Sequence, residues 1–186
     1  MDITETLYVS TRHAWRDWLA THHPHKWEIW LVSYRAHTGR PNVPYNDAVE
    51  EALCFGWIDS TRKRIDDERY AQRFTPRRAT SPYSQTNKER LARLAAQGKL
   101  HPSVAAVLQG ARPEAFQIPP DIRAALAARP GAWAFFSQTS PAYQRIRAAY
   151  VDHARHRGAE FEKRLNHLVE KSAQHKQFGY GIEAYF

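Results

Sequence analysis

Between Ala52 and Lys88 the chain reads ALCFGWIDSTRKRIDDERYAQRFTPRRATSPYSQTNK. Arg62, Lys63, Arg64, Arg69, Arg73, Arg77, Arg78 and Lys88 are interleaved there with Trp57, Tyr70, Phe74 and Tyr83. Guanidinium groups grip phosphate or carboxylate through paired hydrogen bonds, and a ring such as Trp57 or Tyr83 can stack on a base or another ring. The chemistry these residue types suit is anion binding. From Ala52 to Arg93 ten Lys and Arg stand against five Asp and Glu, a net of +5 out of the chain's +8. Asp59 suits a general base or, better, a carboxylate that orients an arginine, since no partner acid or nucleophile accompanies it. Asn87, four residues before Leu91, is expected to turn inward near the cations and to need hydrogen-bond partners. The candidate binding set is Trp57, Asp59, Arg62, Lys63, Arg69, Arg73, Arg77, Arg78, Tyr83, Asn87 and Lys88. The competing arrangement is a solvated sheet face on which the same arginines pair with Asp59, Asp66, Asp67 and Glu68.

Other chemistries lack their residues. His22, His23 and His25 crowd before Lys26, and His153 and His156 lie at i, i+3, but no HExxH, cysteine pair or carboxylate joins them at metal-ligand spacing. GxSxG, the phosphate-binding GxxxxGK and GxGxxG do not occur. No cofactor or metal is therefore expected, and nothing announces an enzyme. Cys54, the single cysteine, sits in an apolar helical run and reads as a buried, inert thiol.

The elements that must position this stretch follow from periodicity. Ser10 or Thr11 can cap a helix whose Ala14, Trp15, Trp18 and Leu19 form one apolar stripe, ending before Pro24. Trp27 to Tyr34 is apolar on both alternating faces, as in a central strand. Tyr45, Ala48, Val49, Ala52 and Leu53 predict a second helix that turns Asn46, Asp47, Glu50 and Glu51 outward, with Gly56 at its end. WIDSTRKRI and RYAQRFT predict a hairpin around Asp66–Glu68, placing Tyr70, Gln72 and Phe74 on one face and Arg69, Ala71, Arg73 and Thr75 on the other. Pro76 ends it, Ser81 to Ser84 cap a helix burying Leu91, Leu94 and Ala95, and Gly98 stops that helix. Helices follow in HPSVAAVL, IPPDIRAALAA and PGAWAFFSQ. Another is capped by Ser140 and Pro141, has a core stripe of Tyr143, Ile146, Tyr150 and Ala154, and ends at Gly158. The last carries Phe161, Leu165, Leu168, Val169 and Ser172. The tail from His175 is expected to be loosely held, with Tyr180, Tyr185 and Phe186 free to dock on a partner.

The run ALCFGWIDS, then KR with Asp66 and Tyr70 at D-x-x-x-Y spacing, then RFTPRR and SPYSQTNK, resembles the bacteriocin-protection, YdeI/OmpD-associated (OmdA-type) family of small bacterial proteins. The resemblance extends more loosely from Trp27 to Leu108, and the C-terminal helices share only its general character. This chain departs from the family at Tyr83, where relatives have Trp, and at ARHRGAEFEKR, where they carry Lys-Arg-x-x-Thr-Arg. The resemblance implies a link to antimicrobial-peptide resistance and to a porin, with no defined reaction.

With 186 residues, 42% apolar and 12% aromatic, the chain can bury a sizeable core. A pI near 9.8 favours acidic partners, whether nucleic acid, a phosphorylated or acidic small molecule, or an anionic surface. The N-terminus lacks a basic-then-apolar leader and no apolar run approaches ~18 residues, so a cytoplasmic protein without a transmembrane segment is expected. The reading is one α+β domain: a small, mainly antiparallel sheet of about three strands packed with helices, plus a C-terminal helical bundle. Residues 27–108 form the family core, 119–175 the C-terminal helices and 176–186 the loose tail. Its expected role is a stress or antimicrobial-peptide-resistance protein with a basic, aromatic-lined anion site. Direct nucleic-acid binding by the same face is one alternative, and an enzyme using Asp59 and Asn87 on a phosphorylated or acidic small molecule is another.

Overall fold

The computed structural model describes residues 2–108, 113–179 and 181–186. Eight α-helices and a four-stranded sheet are present among them, so the architecture is α+β. The chain divides into two units, Met1–Pro82 with Arg93–Gly110, and Tyr83–Ala92 with Ala111–Phe186. No helix among the described residues is long and apolar enough to cross a membrane.

In the first unit the strands are β1 (Thr6–Leu7), β2 (Ile29–Tyr34), β3 (Trp57–Arg64) and β4 (Arg69–Pro76), in the order β1-β2-β4-β3. The sheet therefore has four strands where about three were expected, and it is mixed, because β1 runs parallel to β2. Two residues are too few to show a period of two, which is why β1 leaves no mark in the sequence. The hairpin β3–β4 forms around Asp66–Glu68 as predicted. Asp66 Oδ1 closes the turn by accepting from the Glu68 and Arg69 amides at 3.0 and 2.8 Å.

Helix α1 (Arg12–His22) starts where Thr11 Oγ1 accepts from the Ala14 amide at 3.1 Å. It packs with α2 (Tyr45–Cys54) against the sheet face that carries Phe74. Trp15 anchors this core: its ring lies 5.2 Å from Phe74 and its indole N–H donates to Ala48 O at 3.0 Å. At the end of α2, Gly56 adopts φ +73°, a left-handed turn that L side chains rarely adopt, so the chain can reverse directly into β3. A second, smaller core forms on the opposite sheet face from Trp30, Val32 and Ala71, with Ile3, Tyr34 and Ile65 beside them.

Helix α2 corrects one expectation. Ala48, Val49, Ala52 and Leu53 are buried as predicted, but Tyr45 is exposed, and Asn46, Glu50 and Glu51 are buried rather than turned outward. The reason lies on α1, whose Arg12 and Arg16 stand one turn apart and meet the acidic stripe. Arg12 reaches Asp47 at 2.7 Å, Glu50 at 3.1 Å and Glu51 at 2.5 Å. Arg16 reaches Glu51 at 2.6 Å, and Arg93 pairs with Glu50. Burial alone would weaken the charge of Arg12, but the hydrogen bond and field of Glu51, with Asp47 and Glu50, outweigh it and raise its pKa.

Helix α3 (Gln85–Ala96) is divided between the units at Ala92. Leu91 and Leu94 are buried as expected, whereas Ala95 is exposed. After it α4 (Pro102–Val107) closes the first unit. The second unit adds α5 (Pro120–Ala128), α6 (Ala132–Phe136), α7 (Pro141–Asp152) and α8 (Gly158–Ala173) around Ile122, Leu126, Phe136, Tyr143, Val151 and Leu168. Ser140 caps α7, accepting from the Tyr143 amide at 3.1 Å. Tyr150, placed in the stripe of α7, is instead exposed, and Gly158 opens α8 rather than ending α7.

Where it is described, the tail makes specific contacts. The Phe178 amide donates to the Tyr143 hydroxyl at 2.9 Å and Ile182 is buried. A Cβ on Gly179 would fall 2.8 Å from both Arg147 Nη1 and Ile182 Cγ2, so only glycine passes there, at φ +136°. Tyr180 lies outside the described residues, while Tyr185 and Phe186 are half-buried and already engaged.

Candidate functional site: the basic β3–β4 hairpin

The hairpin sorts its cations by what each one meets. Register pairs Trp30 with Arg73, Val32 with Ala71 and Tyr34 with Arg69, so Arg69 and Arg73 share a sheet face, as the alternation requires. Both are in ion pairs. Asp66 Oδ2 accepts from Arg69 Nε at 2.8 Å and Nη2 at 2.6 Å, and this pairing holds its carboxyl below the usual range. Arg73 pairs with Glu28, whose carboxyl is lowered first by the Thr4 hydroxyl and then by Arg73 and the Trp30 indole. Arg64, outside the binding set, pairs with Asp67. For these three arginines the arrangement is that of a paired, solvated face.

Arg62, Lys63 and Arg78 are placed differently. Between Asp59 and Arg62 the register slips, so Asp59 opposes Phe74 while Arg62 opposes Gln72, one residue late. Gln72 Nε2 stabilises this bulge by donating to Ser60 O at 3.2 Å and Thr61 O at 3.4 Å. The extra residue re-aims every side chain after it. As a result Arg62 lies over the Tyr70 ring at 3.6 Å, and Lys63 falls opposite Ala71 on the face of Arg69 and Arg73. Among the described residues no carboxylate lies within ion-pair distance of Arg62, Lys63 or Arg78. Arg77 is half-buried, its amide donating to Gly56 O at 2.9 Å as the chain leaves the sheet.

Trp57 is 1% exposed and packs edge-on against Trp18, with centroids 6.1 Å apart at 84°. Its ring supports the sheet from inside and offers no face to solvent. Asp59 is half-buried and accepts from the Tyr45 hydroxyl at 2.7 Å. Tyr83, Asn87 and Lys88 belong to the second unit. There Ser84 Oγ accepts from the Asn87 amide at 3.3 Å, and Asn87 Oδ1 from Arg90 Nη1 at 3.1 Å, which answers the demand of a half-buried amide. Sequence reasoning passed over Trp27, assigned to the strand but 82% exposed just before it. Flanking Pro24, His25, Lys26 and Glu28 were the available signal, since a strand interior rarely carries so polar an approach.

Among the described residues no group of three or more His, Cys, Asp or Glu is placed to hold a metal ion. Burial in α2, helped by Glu51 and opposed by Arg16, pushes the Cys54 thiol up to about 11. Because the folded-state pKa stands above the unfolded one, this contribution to stability is complete below about pH 9 and is lost as the pH rises through 11. At pH 7.5 a maleimide should leave Cys54 unlabelled in the native protein and label it fully in denaturant. Rapid native labelling, read by mass, would place this thiol at the surface instead.

Residues 7–107 match the family model described as Domain of unknown function (DUF8412). Residues 115–175 match the one described as Bacteriocin-protection, YdeI or OmpD-Associated. The expected resemblance is thus present, but on the C-terminal helices; Ala52 to Lys88, which carried it in the sequence, lies in the other match. No curated protein and no solved structure matches the chain.

Proposed function

The chain belongs to the DUF8412 family, matched over more than half its length, and we propose that this protein binds an extended polyanion along its β3–β4 hairpin. The supporting observation is the spacing of the cations left without acid partners. Lys63 lies level with Ala71 and Arg62 with Gln72, on the two faces of the edge strand β3, and Arg78 comes two residues after β4 ends at Pro76, so at ~3.3 Å per residue the basic surface runs roughly 17 Å along β4 before it reaches Arg78. A compact phosphorylated metabolite cannot span that distance, whereas a chain of phosphates can. Bacteriocin protection, which the second matched family's description names, is carried to this protein as a role played from the cytosol. At +8 the chain repels cationic peptides, so protection runs through the bound anion and not through sequestration.

Titration with inorganic polyphosphate tests this reading. Affinity should fall as salt is added, with a slope of log K on log salt of about −2 to −3 for three phosphates at ~0.7 to 0.9 each. Replacing Arg62, Lys63 and Arg78 together with Ala should flatten the slope and leave the unfolding midpoint nearly unchanged, because Arg62 and Arg78 are exposed and Lys63, half-buried, has no ion pair to lose. A cationic bacteriocin should not bind in the same assay. An unaltered slope in the triple variant would move the site off the hairpin, and tight bacteriocin binding would overturn the indirect role.

A further inference from the structure

Resting on that polyanion reading, we propose that Trp27 is a stacking platform for the bases of single-stranded nucleic acid, with the neighbouring phosphates held by Arg77 and Arg78. Trp27 is 82% exposed, while Trp15, Trp30 and Trp57 are buried and Trp18 and Trp133 half-buried. Leaving one indole in water forgoes the stabilisation that burying so large a ring supplies. The sheet register places Trp27 and these cations at the same end of the sheet. Ile29 pairs with Phe74, so Trp27, two residues before Ile29, stands at the sheet end where β4 closes at Pro76 and the chain continues into Arg77 and Arg78.

The charges beside the ring suit a phosphate. Glu28 is engaged by Arg73, and Glu5 by Lys26 at 2.5 Å, so neither nearby carboxylate faces an incoming anion unscreened. Arg78 is exposed and no described carboxylate lies within ion-pair distance of it. A membrane anchor would need several apolar side chains together, but Trp27 is flanked by Pro24, His25, Lys26 and Glu28. One flat ring with cations at its side is instead the pairing that holds unpaired bases, each of which presents a π-face whatever its identity. Duplex bases are already stacked on each other, which is why the ligand is single-stranded.

The test compares two polyanions that differ in having bases. An oligothymidylate and inorganic polyphosphate are titrated onto the wild-type protein, Trp27→Ala and Trp27→Tyr. Trp27→Ala should weaken oligonucleotide binding roughly 5- to 150-fold for one stacked base, leave polyphosphate binding and the melting temperature unchanged, and be largely rescued in Trp27→Tyr. Equal oligonucleotide affinity in wild type and Trp27→Ala, with salt-dependent polyphosphate binding intact, would overturn this inference and spare the polyanion reading. Failure of both ligands to bind the wild type would overturn both. Binding of phosphatidylglycerol vesicles lost in Trp27→Ala, with oligonucleotide affinity unmoved, would make the ring a membrane contact and also overturn it.

Discussion

Arg12→Ala is expected to destabilise the first unit by about 3–5 kcal/mol, the usual cost of removing one partner from a buried charge network. The effect is asymmetric across the network. Glu50 is fully buried and Glu51 nearly so, while the side chains of Arg12 and Arg93 keep 30% and 28% of their surface in water. Removing Arg12 leaves Glu50 with Arg93 alone and Glu51 with Arg16 alone, in an interior where the carboxylate oxygens that lose a donor cannot rehydrate. Glu50→Gln should cost less, roughly 1–3 kcal/mol, because the arginines it releases can turn to solvent and the amide keeps a hydrogen bond. Urea unfolding followed by tryptophan fluorescence reports on the right unit, since Trp15, Trp18, Trp27, Trp30 and Trp57 all lie in it. If Arg12→Ala cost under about 1 kcal/mol, the network would be energetically equivalent to surface ion pairs.

That network also marks where the sequence was legible and where it was not. Apolar spacing located α1, α2, the hairpin and the C-terminal helices, because each hides a stripe or an alternating face from water. It failed where the hidden face is polar. Asp47, Glu50 and Glu51 at i, i+3 and i+4 look like the solvent side of α2 to any hydrophobicity rule, and only their match to Arg12 and Arg16 at i, i+4 on α1 reveals that two helices close on each other through charge. The candidate site shows the same limit. Interleaving of rings and cations was correct as composition, yet composition cannot say which arginine has met an acid. Glu28 lies 45 residues before Arg73, and only strand pairing brings the two together. A bulge at Ser60 and Thr61, invisible to a strict period of two, then decides that Arg62 lies over Tyr70. Of the two rings read as stacking candidates, Trp57 is buried and Tyr83 half-buried, while Trp27, placed in a strand, stands in solvent.

Trp57→Ala should remove about 3–5 kcal/mol of stability, the usual cost of truncating a large buried aromatic to a methyl group. The ring packs edge-on to Trp18, which itself stacks on Trp15 at 5.4 Å, so the vacancy opens inside a line of three indoles that cannot collapse without moving α1 from the sheet. For a chain of this length 1 kcal/mol corresponds to roughly 2–4 °C, so the melting temperature should drop by roughly 6–20 °C. Trp57→Phe refills much of the space and should recover most of the loss. Polyphosphate affinity measured well below the melting transition should be unchanged in both variants, because the indole meets no ligand and the cations of β3 and β4 stay in register. The opposite pattern, wild-type melting with lost polyanion binding, would return Trp57 to the binding surface and displace it from the core of the first unit.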